Sequence, residues 1–305
     1  MTLVMAPNHG GSRMSVSSFT LVPRGPFSLR AAARFLEGFG PANYGQSAPE
    51  DHVHFAFVPQ GAELAVGVCL RRVNGRVVGE VFGSGEPEQV RAEVERILSL
   101  DIDGSGYPEV GERDPVVGAL QARLHGFRPV LFYSPFEAGA WAIISTRIQM
   151  SQGAIVKRRL AEQLGQSVDI HGDRRVAFPA PDQLLSLESF PGLFGRKAEY
   201  LQHLAEASLG GVLDAAALRA LPESEALRQL KGISGTGDFG ARLILIRGAG
   251  LVDAAPAREL HFLRTLQAAY ALGHEPGDEG VAAISDVWRP YRTWVTVLLR
   301  VAPRD

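Results

Sequence analysis

Two glycines separated by a single residue, Gly235 and Gly237, lie between two apolar helical patterns. Before them, Leu227 and Leu230 recur at helical spacing, and after them the apolar run 241–246 starts a second helix. Glycine adopts the positive φ and allows the close backbone approach that a tight turn between helices requires. The pattern therefore predicts a helix-hairpin-helix, with positive φ expected at both glycines.

The second helix of this hairpin is expected to begin at Asp238 and to direct its first backbone amides outward. Such amides, together with the positive end of the helix dipole, bind anions without a basic side chain. A DNA phosphate is the anion that this arrangement favours. The DNA-binding residues predicted here are Gly235, Thr236, Gly237, Asp238 and Gly240, with Lys231 before the turn.

Four other segments accompany the hairpin in a fixed order. They are Ser134-Pro-Phe-Glu137, Phe194-Gly-Arg-Lys-Ala-Glu-Tyr200, Asp253-Ala-Ala-Pro-Ala-Arg-Glu-Leu260 and Trp288-Arg-Pro-Tyr-Arg-Thr-Trp294. Together with the hairpin, they resemble the helix-hairpin-helix DNA glycosylase superfamily, and specifically its DNA-3-methyladenine glycosylase II branch. The resemblance covers about residues 17–301. Each motif alone is unspecific, and their shared order makes the resemblance specific.

Residues 17–105 are predicted to form a small domain of mixed strands and helices, because alternating β-branched runs and helical patterns both occur there. The predicted strands are 19–22, 52–58, 64–70 and 77–82, and the predicted helices lie within 27–39 and 90–98. A segment rich in turn formers, 101–108, marks the expected boundary. Residues 1–16 are expected to be a flexible tail.

Residues 106–305 are predicted to be all-α, because helical patterns alternate with short turns marked by glycine or proline. The predicted fold class is α+β: a small N-terminal mixed α/β-sheet domain followed by an all-α helix-hairpin-helix glycosylase region. The resemblance implies two helical lobes that flank a cleft. The hairpin is then expected at the rim, where an extruded base would enter.

The resemblance also implies a carboxylate that stabilises the positive charge on the sugar as the N-glycosidic bond breaks. Counted from the hairpin through Arg247 and Gly248, the family's essential aspartate falls at Glu259, which keeps the charge but adds a methylene. We predict Glu259 as the catalytic acid; the alternative is a glutamate at a helix start, stabilised by the dipole. Asp238 and Asp253 are the fallback carboxylates, and helix capping is the expected role of both.

Phe239 bears on the type of chemistry. Relatives that also cut the DNA backbone place a lysine here to form a Schiff base, which phenylalanine cannot do. The resemblance therefore implies a monofunctional enzyme, and Phe239 either lines the base pocket or is a core aromatic under the hairpin. Trp294 and Arg300 complete the predicted pocket. Core packing is the alternative for Trp294, and contact with a phosphate or an acid is the alternative for Arg300.

A net charge of −2 means that a DNA-binding surface has to be a local basic patch. Arg147 falls where the family carries residues that reach the gap left by a flipped base; its alternative is a surface arginine on a helix. The further basic candidates are Lys157, Arg158, Arg159, Lys231, Arg242 and Arg247. A solvated helix face is the alternative for 157–159.

Composition excludes several other classes. A single cysteine, Cys69, excludes an intrachain disulfide framework and a four-cysteine iron–sulfur cluster, and the eight histidines lack metal-ligand spacing. We therefore expect no cofactor and no metal held by side chains, although the resemblance implies a monovalent cation on hairpin carbonyls such as those of Ile233 and Gly235. No run is long enough to span a membrane, and no signal peptide is evident. A cytoplasmic monomer is expected.

These features favour a monofunctional DNA glycosylase in base excision repair. It would flip an alkylated purine of the 3-methyladenine type out of double-stranded DNA and hydrolyse its glycosidic bond. The change from aspartate to glutamate, together with Arg300, leaves open a catalytically weakened or inactive DNA-damage-binding protein of the same fold. A hairpin module that binds only protein is the third alternative.

Overall fold

A computed structural model describes residues 17–38, 52–256 and 259–302. Its first part is an antiparallel sheet with two helices, α1 (Leu29–Gly38) and α2 (Pro87–Ile97). The strands are β1 (Ser17–Leu21), β2 (His52–Phe57), β3 (Val66–Val73) and β4 (Arg76–Phe82), paired in the order β1-β4-β3-β2. The predicted flexible tail at 1–16 lies outside the described residues.

Alternation along the strands gives this sheet two different faces. Val68 and Leu70 of β3 point into an apolar core, where they meet Val94 and Ile97 of α2. Cys69 lies between them in sequence and therefore points to the opposite face. Burial raises the pKa of the Cys69 thiol to about 11, so the thiol is protonated at neutral pH.

A second hairpin, made of β5 (Ser167–Ile170) and β6 (Asp173–Val176), covers that opposite face. Gly67 of β3 allows its close approach, because a Cβ there would lie 2.7 Å from Ile170 Cγ1. The prediction that residues 106–305 are all-α is therefore wrong at this hairpin. Its short strands are mostly polar, and they gain their burial only by packing on the sheet.

The rest of the described chain is helical, and the α+β fold class is confirmed. A π-helical turn at Ile244–Ala249 continues the helix Asp238–Leu243. The helices are α3 (Tyr107–Arg113), α4 (Pro115–Arg123), α5 (Pro135–Ser145), α6 (Met150–Leu164), α7 (Pro181–Leu184), α8 (Lys197–Leu209), α9 (Ala215–Ala220), α10 (Glu223–Lys231), α11 (Asp238–Leu243), α12 (Leu260–Ala269), α13 (Asp278–Asp286) and α14 (Arg292–Val301). No helix in the described ranges combines the length and the apolar character needed to cross a bilayer.

Two apolar cores divide the helical region. One surrounds α5, which is buried on all sides and packs against α6, α8 and α11. The other joins α3, α4, α12, α13 and α14 around Trp288. Trp288 is anchored there because its Nε1 donates to Asp114 Oδ2 at 2.8 Å, while the Oδ1 of Asp114 caps α4. The predicted domain boundary near 105 stays a prediction. Val130 follows that boundary in sequence but packs into the core of the sheet.

Lys157 of α6 lies inside the first helical core. It is 1% exposed, its ammonium pairs with the Glu137 carboxylate of α5, and its Nζ lies 5.0 Å from the centre of the Phe178 ring. Desolvation lowers the pKa of Lys157, and the carboxylate of Glu137 opposes that shift. Both interpretations of Lys157, a DNA contact and a solvated helix face, are therefore wrong: the residue shares the buried side of α6 with Gly153, Val156 and Leu160.

Candidate active site

The turn between α10 and α11 has the predicted hairpin form, with different roles for its two glycines. Gly235 has φ +87°, and a Cβ at this position would overlap the Tyr200 ring, so glycine is required there twice over. Gly237 has φ −85° and ψ −171° and is the N-cap of α11. Positive φ is therefore wrong for Gly237, which lies in extended backbone that any residue adopts.

The start of α11 presents free amide positions next to this turn. The first bond of the helix runs from Ala241 N to Gly237 O at 2.9 Å, so the amides of Asp238, Phe239 and Gly240 precede it. Asp238 does not cap the helix, contrary to expectation. Its exposed carboxylate instead accepts from Lys231 Nζ at 2.9 Å, and this bond lowers the pKa of Asp238.

Thr236 and Gly240 lie on the inner side of the hairpin. Thr236 is buried, and its backbone amide donates to Ile233 O at 3.0 Å. A Cβ on Gly240 would lie 3.3 Å from Thr236 Cγ2 and 3.4 Å from Ala142 Cβ, so glycine lets α11 pack closely on α5. A DNA contact at these two positions stays a prediction, and it would have to use backbone atoms.

A cleft of about 470 Å³ lies beside the hairpin, between the two helical cores. Phe239, Glu259 and Arg300 all line it. Phe239 is 54% exposed, which excludes the alternative of a core aromatic beneath the hairpin. The volume is within the range of small-molecule sites. Asp238, a fallback carboxylate, lines it as well, so four of the predicted site residues meet in one cavity.

Glu259 is the N-cap residue of α12, and its side chain makes no capping bond. Its carboxylate instead accepts from an Arg300 guanidinium nitrogen at 2.8 Å, with 38% of the Glu259 side chain and 35% of the Arg300 side chain exposed. The same guanidinium lies 5.4 Å from the centre of the Phe262 ring. Arg300 therefore pairs with an acid, one of its two alternatives, and holds that acid at the cleft wall.

Asp253, the other fallback carboxylate, is not among the residues that line the cleft. Its oxygens accept from Arg292 Nε at 2.8 Å, from Arg289 at 2.9 Å and from the Arg292 backbone amide at 3.3 Å. Arg292 is the first residue of α14, so Asp253 fastens the loop before α12 to the start of α14. The expectation that Asp253 caps a helix near Pro256 is wrong.

The prediction of Trp294 in the base pocket is also wrong. Trp294 is 2% exposed, packs at 5.1 Å against the rings of both Tyr107 and Tyr291, and has the Arg128 guanidinium 5.1 Å from its ring centre. Helical periodicity explains the error, because the cleft-facing side of α14 is formed by Thr293 and the residues three, four and seven positions after it, which excludes Trp294. The cleft residues of α14 are Thr293, Thr296, Val297 and Arg300.

Arg147 lies outside the helix in which the sequence places it. Helix α5 ends at Ser145, and Arg147 follows in the turn before α6 with φ +57°, exposed to solvent. Positive φ is uncommon for a residue other than glycine. The described contacts do not test a role for Arg147 in the gap left by a flipped base, which stays a prediction.

The other basic candidates are mostly engaged within the protein. Arg247 lines the cleft, but it donates to Val130 O at 2.7 Å, and burial lowers its pKa to about 10. Arg242 lies 3.6 Å from Glu223, and Arg158 lies 3.7 Å from Glu162. These three arginines are therefore engaged with protein groups, and the amides at the start of α11 are the stronger candidates for anion binding.

Several residues that line the cleft were not predicted from the sequence. Met150 begins α6 and is 66% exposed, which is unusual for methionine, but a single methionine gives no signal in a sequence. The spacing of α14 around Arg300 is a signal that could have found its neighbours. The cleft residues missed in this way include Phe132, Met150, Ile246, Thr293, Thr296 and Val297.

Comparison with known proteins gives consistent results. The chain is 21% identical over 216 residues to the DNA-3-methyladenine glycosylase of Bacillus subtilis (strain 168), covering 70% of this chain and 71% of the relative. It is 30% identical over 211 residues to a probable bifunctional transcriptional activator/DNA repair enzyme AlkA of Mycobacterium tuberculosis (strain ATCC 25618 / H37Rv), covering 67% of this chain but only 41% of that relative. No family model matches the chain.

A solved structure, the 3-methyladenine DNA-glycosylase from Archaeoglobus fulgidus, matches with a TM-score of 0.74 at 23% identity. The match covers 92% of this chain and 96% of that one, which establishes the shared fold. The hairpin and the cleft beside it lie within the part of the chain that this match covers. The chain therefore has the fold of the 3-methyladenine DNA-glycosylase from Archaeoglobus fulgidus and is similar in sequence to proteins named as DNA-3-methyladenine glycosylase and AlkA.

Proposed function

We propose that this protein is a monofunctional DNA glycosylase that excises alkylated purines of the 3-methyladenine type from double-stranded DNA, in base excision repair. The observation that carries the proposal is the single cleft beside the hairpin, lined by both Glu259 and Phe239. A base flipped out of the duplex needs such a cavity, because its glycosidic bond is inaccessible within the stack.

In this mechanism Glu259 acts on the sugar. Breaking the N-glycosidic bond places positive charge on the sugar ring, and a carboxylate next to it stabilises the transition state and positions water. An alkylated purine that already carries a positive charge leaves readily and needs little protonation. Arg300 holds the Glu259 carboxylate at the cleft wall through their 2.8 Å contact, and we propose that it orients the acid before the base enters.

Phe239 supplies an aromatic surface at the same cavity. Its ring is exposed and lies in α11, one residue after the start of the helix that carries the hairpin amides. An electron-poor, cationic base is attracted to the face of an aromatic ring. The position that binds the backbone phosphate and the one that meets the base are thus adjacent in the chain.

The product should be an abasic site in an uncut strand. Phe239 lacks the amine needed for a Schiff base, so borohydride added during turnover is expected to trap no protein–DNA adduct. The measurement is denaturing electrophoresis of alkylated duplex after reaction, with and without alkali. Strand breaks should need the alkali; breaks without it, together with a trapped adduct, would show lyase chemistry.

The hairpin amides can be tested at Gly237. Its φ of −85° suits any residue, and a Cβ there meets nothing within 4 Å, so Gly237→Asp should fold normally. The added negative charge faces the proposed phosphate position and should lower affinity for duplex DNA by roughly 10-fold, about 1.4 kcal/mol. Gly273→Asp is the matched control, because Gly273 is also open on its Cβ side and lies in a distant turn.

Fluorescence anisotropy at several salt concentrations would measure both variants, since phosphate contacts make binding salt-dependent. Equal affinities for the two variants would rule out the hairpin as the phosphate site. A complete lack of salt-dependent DNA binding by the native protein would favour the alternative of a module that binds only protein.

The Glu259–Arg300 ion pair also favours a second candidate, a DNA-damage-binding protein with weak or no catalysis. In that case Arg300 would neutralise the carboxylate permanently, and the longer acid would not reach the sugar. Release of methylated purines from alkylated duplex DNA distinguishes the two functions. The glycosylase releases base with multiple turnovers, whereas the binding protein retains alkylated or abasic DNA without release.

Four further features belong to the proposal. The protein is proposed to act as a monomer in the cytoplasm and to need no organic cofactor. A monovalent cation is proposed on the hairpin carbonyls, such as those of Ile233 and Gly235. Sedimentation of the protein–DNA complex and the dependence of DNA affinity on potassium against lithium would test the first and the last of these.

A further inference from the structure

Potential metal ligands converge on the sheet face that the β5–β6 hairpin covers, away from the cleft. Strand pairing places His54 of β2 opposite Cys69 of β3, and Cys69 opposite Glu80 of β4. His52 lies two residues before His54 and therefore shares its face. In the part of the chain that the structure describes, the ligand atoms of His52, His54 and Cys69 all lie within 4.8 Å of one another.

One distance in this group matches that between two ligands of a tetrahedral metal centre. His52 Nδ1 lies 3.6 Å from Cys69 Sγ. Zinc bonds of about 2.3 Å to sulfur and about 2.0–2.1 Å to nitrogen, at a tetrahedral angle, separate the two ligand atoms by about 3.6 Å. The two side chains therefore lie at the separation that a shared zinc ion would impose.

His54 provides a second, independent observation. Its side chain is 3% exposed, and its Nδ1 lies 2.9 Å from Asp173 Oδ2 of β6. Its other ring nitrogen, Nε2, is buried and has no hydrogen-bond partner among the described residues. A histidine that binds a metal through one nitrogen and a carboxylate through the other has this arrangement, whereas a buried nitrogen without a partner is otherwise costly.

The surroundings are compatible with a divalent cation. Two carboxylates near the group have a cationic partner. Glu80 pairs with Arg71, and Asp173 pairs with Arg175 at 2.6 Å. Glu80 also lies 2.9 Å from His171 Nε2, and the ligand atoms of these two residues lie within 4.8 Å of Cys69 Sγ. The ligand set would contribute one negative charge, on the thiolate, after the metal has displaced the thiol proton.

We propose that His52, His54 and Cys69 bind one zinc ion between the sheet and the β5–β6 hairpin, with the fourth coordination position on the side of Glu80 and His171. The sulfur and nitrogen ligands favour zinc over magnesium or calcium, which prefer oxygen. None of the three residues lines the cleft, so the proposed role of the ion is structural, and its link to the hairpin runs through Asp173, the partner of His54, and through His171. The proposal is independent of the proposed glycosylase function.

The test uses full-length protein, first treated with a chelator and then titrated with zinc against a chromophoric competitor. One zinc ion per chain is expected, together with a higher Tm. Cobalt in place of zinc should give the thiolate charge-transfer absorption of a bound cysteine. Since Cys69 is the only cysteine in the chain, that absorption can come from no other residue.

Variants separate a metal site from a buried polar cluster. Asp173→Asn should lower zinc affinity by about 10- to 100-fold through loss of the carboxylate partner of His54. Cys69→Ala removes the thiolate and should abolish the cobalt–thiolate absorption. His52→Gln, at a half-buried position, provides a second ligand variant. His274→Gln, at an exposed distant turn, is the control and should bind zinc normally.

Two results would overturn the proposal. One is binding of less than one zinc ion per folded chain. The other is zinc affinity that stays the same in both Cys69→Ala and His52→Gln. Either result would mean that the group is a hydrogen-bonded cluster without a metal.

Discussion

Replacing Glu259 with glutamine is expected to lower the rate of base release from alkylated duplex DNA by about 100-fold or more, which corresponds to about 2.7 kcal/mol of lost transition-state stabilisation. Glutamine has nearly the same size and can still accept a hydrogen bond from Arg300. The variant therefore removes the negative charge with little change in geometry. Single-turnover release of methylated purines is the measurement.

Two comparisons make this result specific. Glu279→Gln makes the same substitution on the exposed side of α13, outside the cleft, and should leave the rate unchanged. Affinity for DNA containing an abasic site should also be retained by Glu259→Gln, because the hairpin is intact. If native protein and Glu259→Gln release base at the same rate, Glu259 is not the catalytic acid.

Replacing Lys157 with methionine is expected to destabilise the fold by about 3 to 5 kcal/mol, the usual cost of leaving one member of a buried ion pair without its partner. Glu137 would then keep a buried charge without the Lys157 ammonium that pairs with it. For a chain of this size the change corresponds to a Tm lower by about 5 to 8 °C. Calorimetry and urea unfolding would measure it.

The double variant Glu137→Gln with Lys157→Met tests the cause. It removes both charges while keeping the side-chain volumes, so it should recover at least half of the lost stability. Lys231→Met is the matched control, because Lys231 forms an exposed pair with Asp238 and should change the stability by less than about 1 kcal/mol. If the double variant is as unstable as Lys157→Met, packing rather than charge explains the loss.

The sequence predicted the hairpin and the acid of the cleft because both are local. A glycine turn between two helices and a fixed spacing to Glu259 are visible along the chain. The positions of Phe239, Glu259 and Arg300 around one cavity then followed from the family resemblance. The side chain of Trp294 was assigned to the wrong face of α14, because the sequence motif does not state which side of the helix meets the cleft.

Features that depend on distant contacts could not be predicted in this way. The strands β5 and β6 have little apolar pattern of their own and are buried only by the sheet. Lys157 is hydrophilic in isolation, and its burial depends on distant partners, among them the Glu137 carboxylate on another helix and the Phe178 ring. The group of His52, His54 and Cys69 has no metal-binding spacing in sequence, because strand register, rather than chain distance, brings its members together.

The contact between Gly235 and Tyr200 limits how the hairpin can be moved between proteins. The absent Cβ of Gly235 makes room for a ring that comes from the start of α8, in a separate sequence motif. Grafting the hairpin alone onto another scaffold would leave that side of the turn without its support, and a larger residue at 235 would displace α8 here. The smallest portable unit that contains this hairpin is therefore the hairpin together with α8, and engineered exchanges should transfer both.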